Sequence, residues 1–420
     1  MFSKFVRWYL TGSESDYRFL PVRQPALDDI RQTNLYIHIP FCRSLCPYCP
    51  YNKIRYDSSL VRPYVDALLA EVELYYKKLG NIEVSSIYIG GGTPTLLIDQ
   101  LPEVIEKICS CFKVNGDICI ETNPDNIGVD TANKMKQMNV RLVSLGIQSF
   151  NDRLLKLIGR KYPSSILNPV IKQIIAQDFE TVNADLIFAL PQQSLDELRD
   201  DLQKAVDSGI EQITCYPLFT FPYTSVGKYR RLKKIAMPGL SRRFRHYRLI
   251  ENFLYSAGYH RVSVWSYKKN GSARFSSVTR DGYIGFGAGA TSHTPQAMTV
   301  NTFSVNEYIE SCTVGRFATA LQMNLNKKMQ SYLWLYWRMY DTYISKAALN
   351  KEFSQNDTKL RQLLQLLRCL GMIEEDSDSY KLNDRGAFWI HLLQNYFALE
   401  HINKIWTIAK QAPWPGEIAL

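Results

Sequence analysis

The 420-residue sequence predicts an α/β chain: a partial barrel of six βα units followed by an α-rich, winged-helix-like C-terminal domain. Three observations predict it. From Leu35 onward, short β-branched runs alternate with helix-length segments, the pattern of parallel strands joined by crossover helices. Glycine and single polar residues recur at the carboxyl ends of those strands, where such barrels carry their chemistry. In the last hundred residues the alternation gives way to helices around a short hairpin. The expected division is an N-terminal arm over 1–33, the barrel and its extension over 34–315, and the C-terminal domain over 316–420.

The strands are expected at Leu35–Pro40, Val84–Gly90, Asp117–Glu121, Arg141–Ile147, Val182–Phe188 and Gln212–Tyr216. Helical segments fall between them at Pro63–Leu79, Leu101–Phe112, Asp130–Met138, Ser164–Gln177 and Ser194–Ser208. Further on, Lys327–Tyr343 and Thr358–Leu370 read as helices. A hairpin-like pair follows around Asp376–Ser379, and the segment after Leu382–Gly386 opens an aromatic-rich helix. Helix, helix and small wing make the winged module; such modules often bind DNA, but its second helix, KLRQLLQLLRCLG, is mostly core-like.

Composition sets bounds. Hydrophobic residues make up 46%, enough for a sizeable core. Nine cysteines in so long a chain are not a disulfide framework and suit a reducing, cytoplasmic setting. No apolar run is long enough to span a membrane. The opening MFSKFVRWYL has charges inside too short an apolar stretch for a signal peptide. Lysine and arginine outnumber acids 50 to 40, a net charge of +10 that favours anionic partners without choosing among them.

The chemistry concentrates in residues 35–51, LYIHIPFCRSLCPYCPY. A β-prone run ends at Pro40 and feeds a loop with Cys42, Cys46 and Cys49, spaced C-x3-C-x2-C. Three thiolates on one tight loop suit a [4Fe–4S] cluster with one iron free of protein ligands. A zinc knuckle would want a fourth histidine or cysteine at short spacing, and Pro50 and Tyr51 stand there instead. Next comes Gly90-Gly91-Gly92-Thr93-Pro94-Thr95, directly after the second strand. Consecutive glycines let backbone approach a ligand and expose N–H groups to a carboxylate or phosphate, though the run also suits an ordinary tight turn. Single polar residues then follow: Glu121, Gln148 and Asp185 at strand ends, and Arg160 in the loop beyond the fourth strand. Each alone reads equally as a solvated strand end or a helix cap.

The cysteine spacing and its flank, Tyr36-x-His38-x-Pro40-Phe41-Cys42, resemble the radical SAM superfamily, and within it the oxygen-independent coproporphyrinogen III oxidase-like family. GGGTPT, the later polar residues in their order, and the GFGxGAxSH-like segment from Gly285 to His293 resemble that family as well. The resemblance implies a partial TIM-like barrel with a [4Fe–4S] cluster on Cys42, Cys46 and Cys49. It implies S-adenosylmethionine on the open iron, or two such molecules as in the family's class C methyltransferases. The implied contacts to it are Tyr36, Tyr48, Gly90, Gly91, Thr93, Glu121, Gln148, Arg160 and Asp185. Arg160 would face the carboxylate, while Glu121 and Asp185 would accept from ribose hydroxyls or the ammonium. The implied partners are a tetrapyrrole or similarly flat, carboxylated substrate and an electron donor such as flavodoxin or ferredoxin.

The resemblance departs at one place. Family oxidases continue the third cysteine with glycine and a fourth cysteine, and haem-chaperone members usually continue it with aspartate and phenylalanine; here Pro50 and Tyr51 follow. Three reaction outcomes stay open: oxidative decarboxylation, methyl transfer, and haem binding without turnover. The basic stretch from Arg230 to Arg248 reads as a solvated helix face or as a recognition surface for substrate carboxylates, with nucleic acid less favoured for want of a stacking platform. Ser276–Arg280 is expected as a substrate-facing loop. His293 is expected as a structural histidine, with proton donation the alternative.

Overall fold

The computed structural model describes residues 9, 12, 17–231, 236–276, 281–353 and 357–420. Six parallel strands lie side by side in chain order: β1 Gln32–Ile39, β2 Glu83–Gly91, β3 Lys113–Thr122, β4 Val140–Gln148, β5 Thr181–Phe188 and β6 Gln212–Pro217. The crossover helices are α1 Ser58–Leu79, α2 Leu101–Cys111, α3 Val129–Gln137, α4 Leu167–Ile175 and α5 Leu195–Asp207. The expected elements are present, mostly one to four residues longer or shorter. A capping box at Ser194 and Glu197 fixes the start of α5, because each side chain satisfies the other residue's backbone N–H. Leu35, Ile37, Ile89, Val143, Leu145 and Ala184 are fully buried between this sheet and its helices. Strands covered on both faces read as continuous apolar runs, which is why the sequence shows them plainly.

Beyond the six strands the sheet continues further than the sequence suggests. Following helix α6 (Leu240–Ser256) and strand β7 Tyr259–Arg261, strand β8 Ser266–Lys269 adds antiparallel to β6, and β7 pairs antiparallel with β8. On the other edge β9, Tyr283–Phe286, joins β1 as a seventh parallel strand. Antiparallel β10 Thr291–His293, β11 Ala297–Asn301 and, after α7 (Val305–Thr313), β12 Thr319–Asn324 follow. The strand Arg18–Pro21 pairs with β12, and Ile418–Ala419 pairs with Arg18 and Phe19. The chain's two ends therefore close one edge of a fourteen-stranded sheet. Phe19 and Ile418 are buried there, and the Arg23 guanidinium lies 3.8 Å from the Trp414 ring centroid.

The C-terminal unit has its own apolar cluster, including Tyr332, Leu335, Leu364, Leu367 and Ile390. Helices α8 (Lys327–Tyr340), α9 (Lys346–Glu352) and α10 (Thr358–Cys369) surround a three-stranded antiparallel sheet. Its strands are β13 Tyr343–Ser345, β14 Ile373–Glu375 and β15 Ser379–Leu382, with β15 central. Tyr343, read as helical from sequence, instead begins β13 after the helix stops at Tyr340. Helix α11, Asp384–Ala409, packs back on the barrel: the Phe388 and Phe244 rings meet edge to face at 4.9 Å. Among the described residues no helix is long and apolar enough to cross a membrane.

Candidate active site

The cysteine loop springs from the end of β1. Phe41 and Cys42 pair in parallel with Ile54 and Arg55, which ties its two ends together. Ile54 N–H donates to the Pro40 carbonyl at 2.8 Å and Tyr56 N–H to the Cys42 carbonyl at 2.9 Å. Inside the loop Cys49 N–H turns back onto the Cys46 carbonyl, and Lys53 Nζ donates to the Cys49 carbonyl at 2.6 Å. All three cysteines line one cleft at the carboxyl end of the barrel, with Tyr48, Thr93, Glu121, Gln148, Arg160 and Asp185. Burial, followed by the neighbouring Cys49, pushes the Cys42 thiol up to about 11; the Thr93 hydroxyl and Lys53 act in the opposite direction. Such a thiol needs bound metal to become a thiolate. A single ion would need its ligands to converge, and among the described residues no three His, Cys, Asp or Glu side chains do so. A cubane cluster takes each thiolate on a different iron, which suits three cysteines lining one cleft.

Of the two uses its sequence suggests, the glycine run shows close approach and not a free row of N–H donors. Gly91 N–H donates to Glu121 Oε2 at 3.2 Å, Gly92 N–H to the Ile39 carbonyl at 2.7 Å, and Thr93 N–H to the Phe41 carbonyl at 2.8 Å. These donors are occupied within the protein, so the expected N–H cradle for a ligand is absent at 91–93. Close approach is what the glycines provide. A Cβ on Gly92 would lie 2.6 Å from the Phe41 carbonyl oxygen and 2.9 Å from Cys42 Sγ. One on Gly91, at φ +115°, would meet His38 at 2.7 Å.

Charged side chains line the same cleft. Glu121 is held by Gly91 N–H and by the Tyr88 hydroxyl, with its carboxyl raised by burial against those two bonds. Asp185 accepts from Ser144 Oγ at 3.0 Å and Asn183 Nδ2 at 2.9 Å. Burial and then the nearby Glu121 push it up to about 7. Arg160 follows Gly159, where a Cβ would strike Pro47 of the cysteine loop at 2.7 Å. Its Nη1 donates to Asn123 Oδ1 at 2.8 Å, but its buried Nε has no partner. Gln148 holds φ +71°, a conformation uncommon for a residue with a side chain. A Cβ on Gly146 would meet Gln148 Nε2, Asn123 Oδ1 and Arg160 Nη2 within 3.3 Å, so that glycine keeps the space in front of them open.

Two predicted contacts, Tyr36 and Gly90, are not among the residues lining the cleft. Tyr36 hydrogen-bonds His38 Nδ1 at 2.7 Å, and Gly90 abuts Tyr88 and Glu121. His38 is buried, held down at about 4 by that burial, and its Nε2 meets the Asn52 carbonyl at 2.9 Å. Residues the sequence did not single out also line the cleft: Asn123, Ser144 and Tyr162 among them. They are ordinary polar residues on strands and loops, and only the strand order brings them together. Tyr51 sits at the mouth with 53% of its surface exposed.

Other expectations change. In the basic stretch, Arg242 and Arg243 donate to the carbonyls of Gln193 and Leu218, Arg230 to Thr220, and Arg248 to Asp384. These arginines fasten α6 and the segment before it to the barrel-top loops and to α11, while Arg230, Arg242 and Arg245 remain exposed as a solvated face would be. The Lys233 and Lys234 positions, and 277–280 of the expected substrate loop, lie outside the described residues. His293 ends β10, away from the cleft, and burial holds it down at about 4.

The barrel and its cysteine-lined cleft define a protein of the radical SAM superfamily, and residues 36–205 match that superfamily. "Heme chaperone HemW" of Bacillus subtilis is 30% identical over 282 residues, covering 66% of this chain and 74% of that one. "Oxygen-independent coproporphyrinogen III oxidase" of Bradyrhizobium diazoefficiens is 26% identical over 311 residues, 68% of each chain. The solved coproporphyrinogen III oxidase HemN of Escherichia coli shares the fold, with a TM-score of 0.75, 20% identity, and coverage of 88% of this chain and 90% of that one. The chain belongs to the oxygen-independent coproporphyrinogen III oxidase-like family of radical SAM proteins. Its cofactors are accordingly a [4Fe–4S] cluster and S-adenosylmethionine. The residues fit them: three thiols line the cleft together with Arg160, whose buried Nε has no partner in the protein.

Proposed function

We propose that this chain is a radical S-adenosylmethionine enzyme acting on a tetrapyrrole or a similarly flat, carboxylated molecule. The observation that carries it is one cleft lined by Cys42, Cys46 and Cys49, by the half-buried carboxyl groups of Glu121 and Asp185, and by Arg160, whose Nε has no partner in the protein. When bound, the cluster and S-adenosylmethionine supply a 5'-deoxyadenosyl radical by one-electron cleavage of the sulfonium. The protein's part is to hold and orient. Arg160 offers its Nε to the ligand's carboxylate, and Asn123 fixes the guanidinium plane. Glu121 and Asp185 accept from the ammonium or from ribose hydroxyls. Tyr48 packs beside the cysteines, and Tyr51 at the mouth offers a ring face to a flat substrate.

The test is anaerobic reconstitution with iron and sulfide, then reduction with S-adenosylmethionine and coproporphyrinogen III. Turnover predicts 5'-deoxyadenosine with a decarboxylated or methylated porphyrinogen; its absence with every tetrapyrrole tried rejects the enzyme reading. The name of the Bacillus subtilis relative favours a second reading, haem binding without turnover. Stoichiometric haem binding with no substrate-dependent 5'-deoxyadenosine would select it.

A further inference from the structure

A second cavity, of about 940 Å³, lies where the barrel edge meets the C-terminal unit. It shares no lining residue with the cysteine cleft. β7, the loop after β8, the end of α8 and the start of α11 supply its walls. Arg261, Arg274, Arg338, Lys381 and Arg385 line it against three carboxylates.

The three inner guanidiniums are only partly used by the protein. Arg261 reaches Glu251 and Asp384, Arg274 reaches Asp341 at 2.6 Å, and Arg338 reaches Asp281 and Asp341 at 3.2 and 3.4 Å. Every one of these contacts runs through Nη2. The Nε of each of the three is buried without a partner, as is Nδ1 of the neighbouring His260. Buried polar atoms are rarely left unpaired, and here four of them, three guanidinium Nε donors and one imidazole nitrogen, belong to residues lining one cavity. The Arg261 side chain is 7% exposed, so it is built into the wall rather than resting on the surface. Thr342, also in the lining, holds φ +60°, an outlier for a β-branched residue. Trp334 and the exposed ring of Tyr343 add flat apolar faces.

We propose that this junction is a second ligand site, taking a planar molecule that carries two or more oxyanion groups. Its ring lies against Trp334 and Tyr343, and its carboxylate or phosphoryl oxygens meet the guanidiniums and Lys381. Because barrel and C-terminal unit both supply walls, such a ligand holds the two together and stabilises the chain.

Calorimetric titration of the full, cluster-reconstituted chain tests the site, with ATP as the phosphoryl probe and coproporphyrin III as the carboxylate probe. The variants are Arg274→Gln combined with Arg385→Gln, and Arg385→Gln alone, since Arg385 is an exposed rim residue whose loss should not disturb folding. The expected result is binding of one probe in the micromolar range, weakened about tenfold or more in the double variant and by a smaller factor in Arg385→Gln. S-adenosylmethionine cleavage stays unchanged in both, and Asp185→Asn in the other cleft leaves this binding intact. The proposal is overturned if neither probe binds up to about 1 mM. It is equally overturned if the bound probe is indifferent to both arginine variants, or is lost in Asp185→Asn.

Discussion

Arg160 is the residue on which ligand recognition turns. Its Nε is buried and unpartnered, while Nη1 is fixed by Asn123. A charge-assisted bond there contributes on the order of 2 kcal/mol, so Arg160→Met should weaken S-adenosylmethionine binding about thirtyfold. Iron and sulfide content should stay at wild-type level, since Arg160 is not a cluster ligand; calorimetry and an iron assay check the pair of results. Asp185 makes the second prediction. Its carboxyl is raised from an ordinary 3.8 to about 7 by burial and the Glu121 charge. The native fold therefore prefers the protonated acid. Its contribution to stability is present below about 4 and is lost as pH rises through about 7. Ligand affinity should run the other way, tightening as the ionised form appears, because a carboxylate accepts better than the acid. Asp185→Asn should remove both slopes, read by denaturation and by titration across pH 5 to 8 (the window bracketing that value).

At the scale of elements, the cysteine loop is held by a buried polar chain that begins at Glu71. The Glu71 carboxylate accepts from Gly287 N–H at 2.8 Å, Asn301 Nδ2 at 2.8 Å and the Tyr308 hydroxyl at 2.7 Å. The next residue, Ala288, receives Asn52 Nδ2 on its carbonyl at 3.0 Å and gives its N–H to the Tyr64 hydroxyl. Tyr64 in turn donates to the His38 carbonyl at 2.8 Å. Helix α1, the β9 turn and the cysteine loop are thus joined by atoms with no access to water. Glu71→Gln sets amide hydrogens against existing donors and leaves at least one unpaired, at a cost of about 1 to 3 kcal/mol. A lower unfolding midpoint, with cluster retention reduced in step, is the expected result. Gly92→Ala should act more locally: its Cβ meets the Phe41 carbonyl and Cys42 Sγ. Circular dichroism should remain near wild type while iron content falls by half or more.

The whole molecule shows why some of this could be read from sequence and some could not. Strands β1 to β6 were legible because each is covered on both faces and reads as an apolar run. The cysteines stood out by their spacing, whereas Glu121 and Asp185 were singled out only by the family resemblance, each alone reading as a solvated end or a cap; Asp185 in fact lies inside β5. What escaped depends on long-range pairing. β9 is four residues long, and its place beside β1 is set by partners about 250 positions away in sequence. The GGG motif looked like a ligand cradle because sequence does not show that its N–H groups go to Ile39, Phe41 and Glu121. The basic stretch read as a solvated helix face, and Arg230, Arg242 and Arg245 are exposed; its bonds to the Gln193 and Leu218 carbonyls were not legible because those carbonyls lie on distant loops. The tail after Trp414 carried no pattern, yet Ile418 is buried beside Phe19 and Trp414 Nε1 donates to Glu307. Removing residues 414–420 should cost about 2 to 4 kcal/mol from that burial and pairing, seen as a lower thermal midpoint with the barrel's circular dichroism retained.

The central claim is that Cys42, Cys46 and Cys49 hold a cluster whose remaining iron is open to S-adenosylmethionine. Electron paramagnetic resonance of the reduced, reconstituted protein tests it most directly. The account predicts a [4Fe–4S]+ signal whose g-values shift on adding S-adenosylmethionine, and whose yield collapses when any one of the three cysteines becomes alanine. A signal indifferent to the added nucleotide, or one that survives loss of those cysteines, would contradict it.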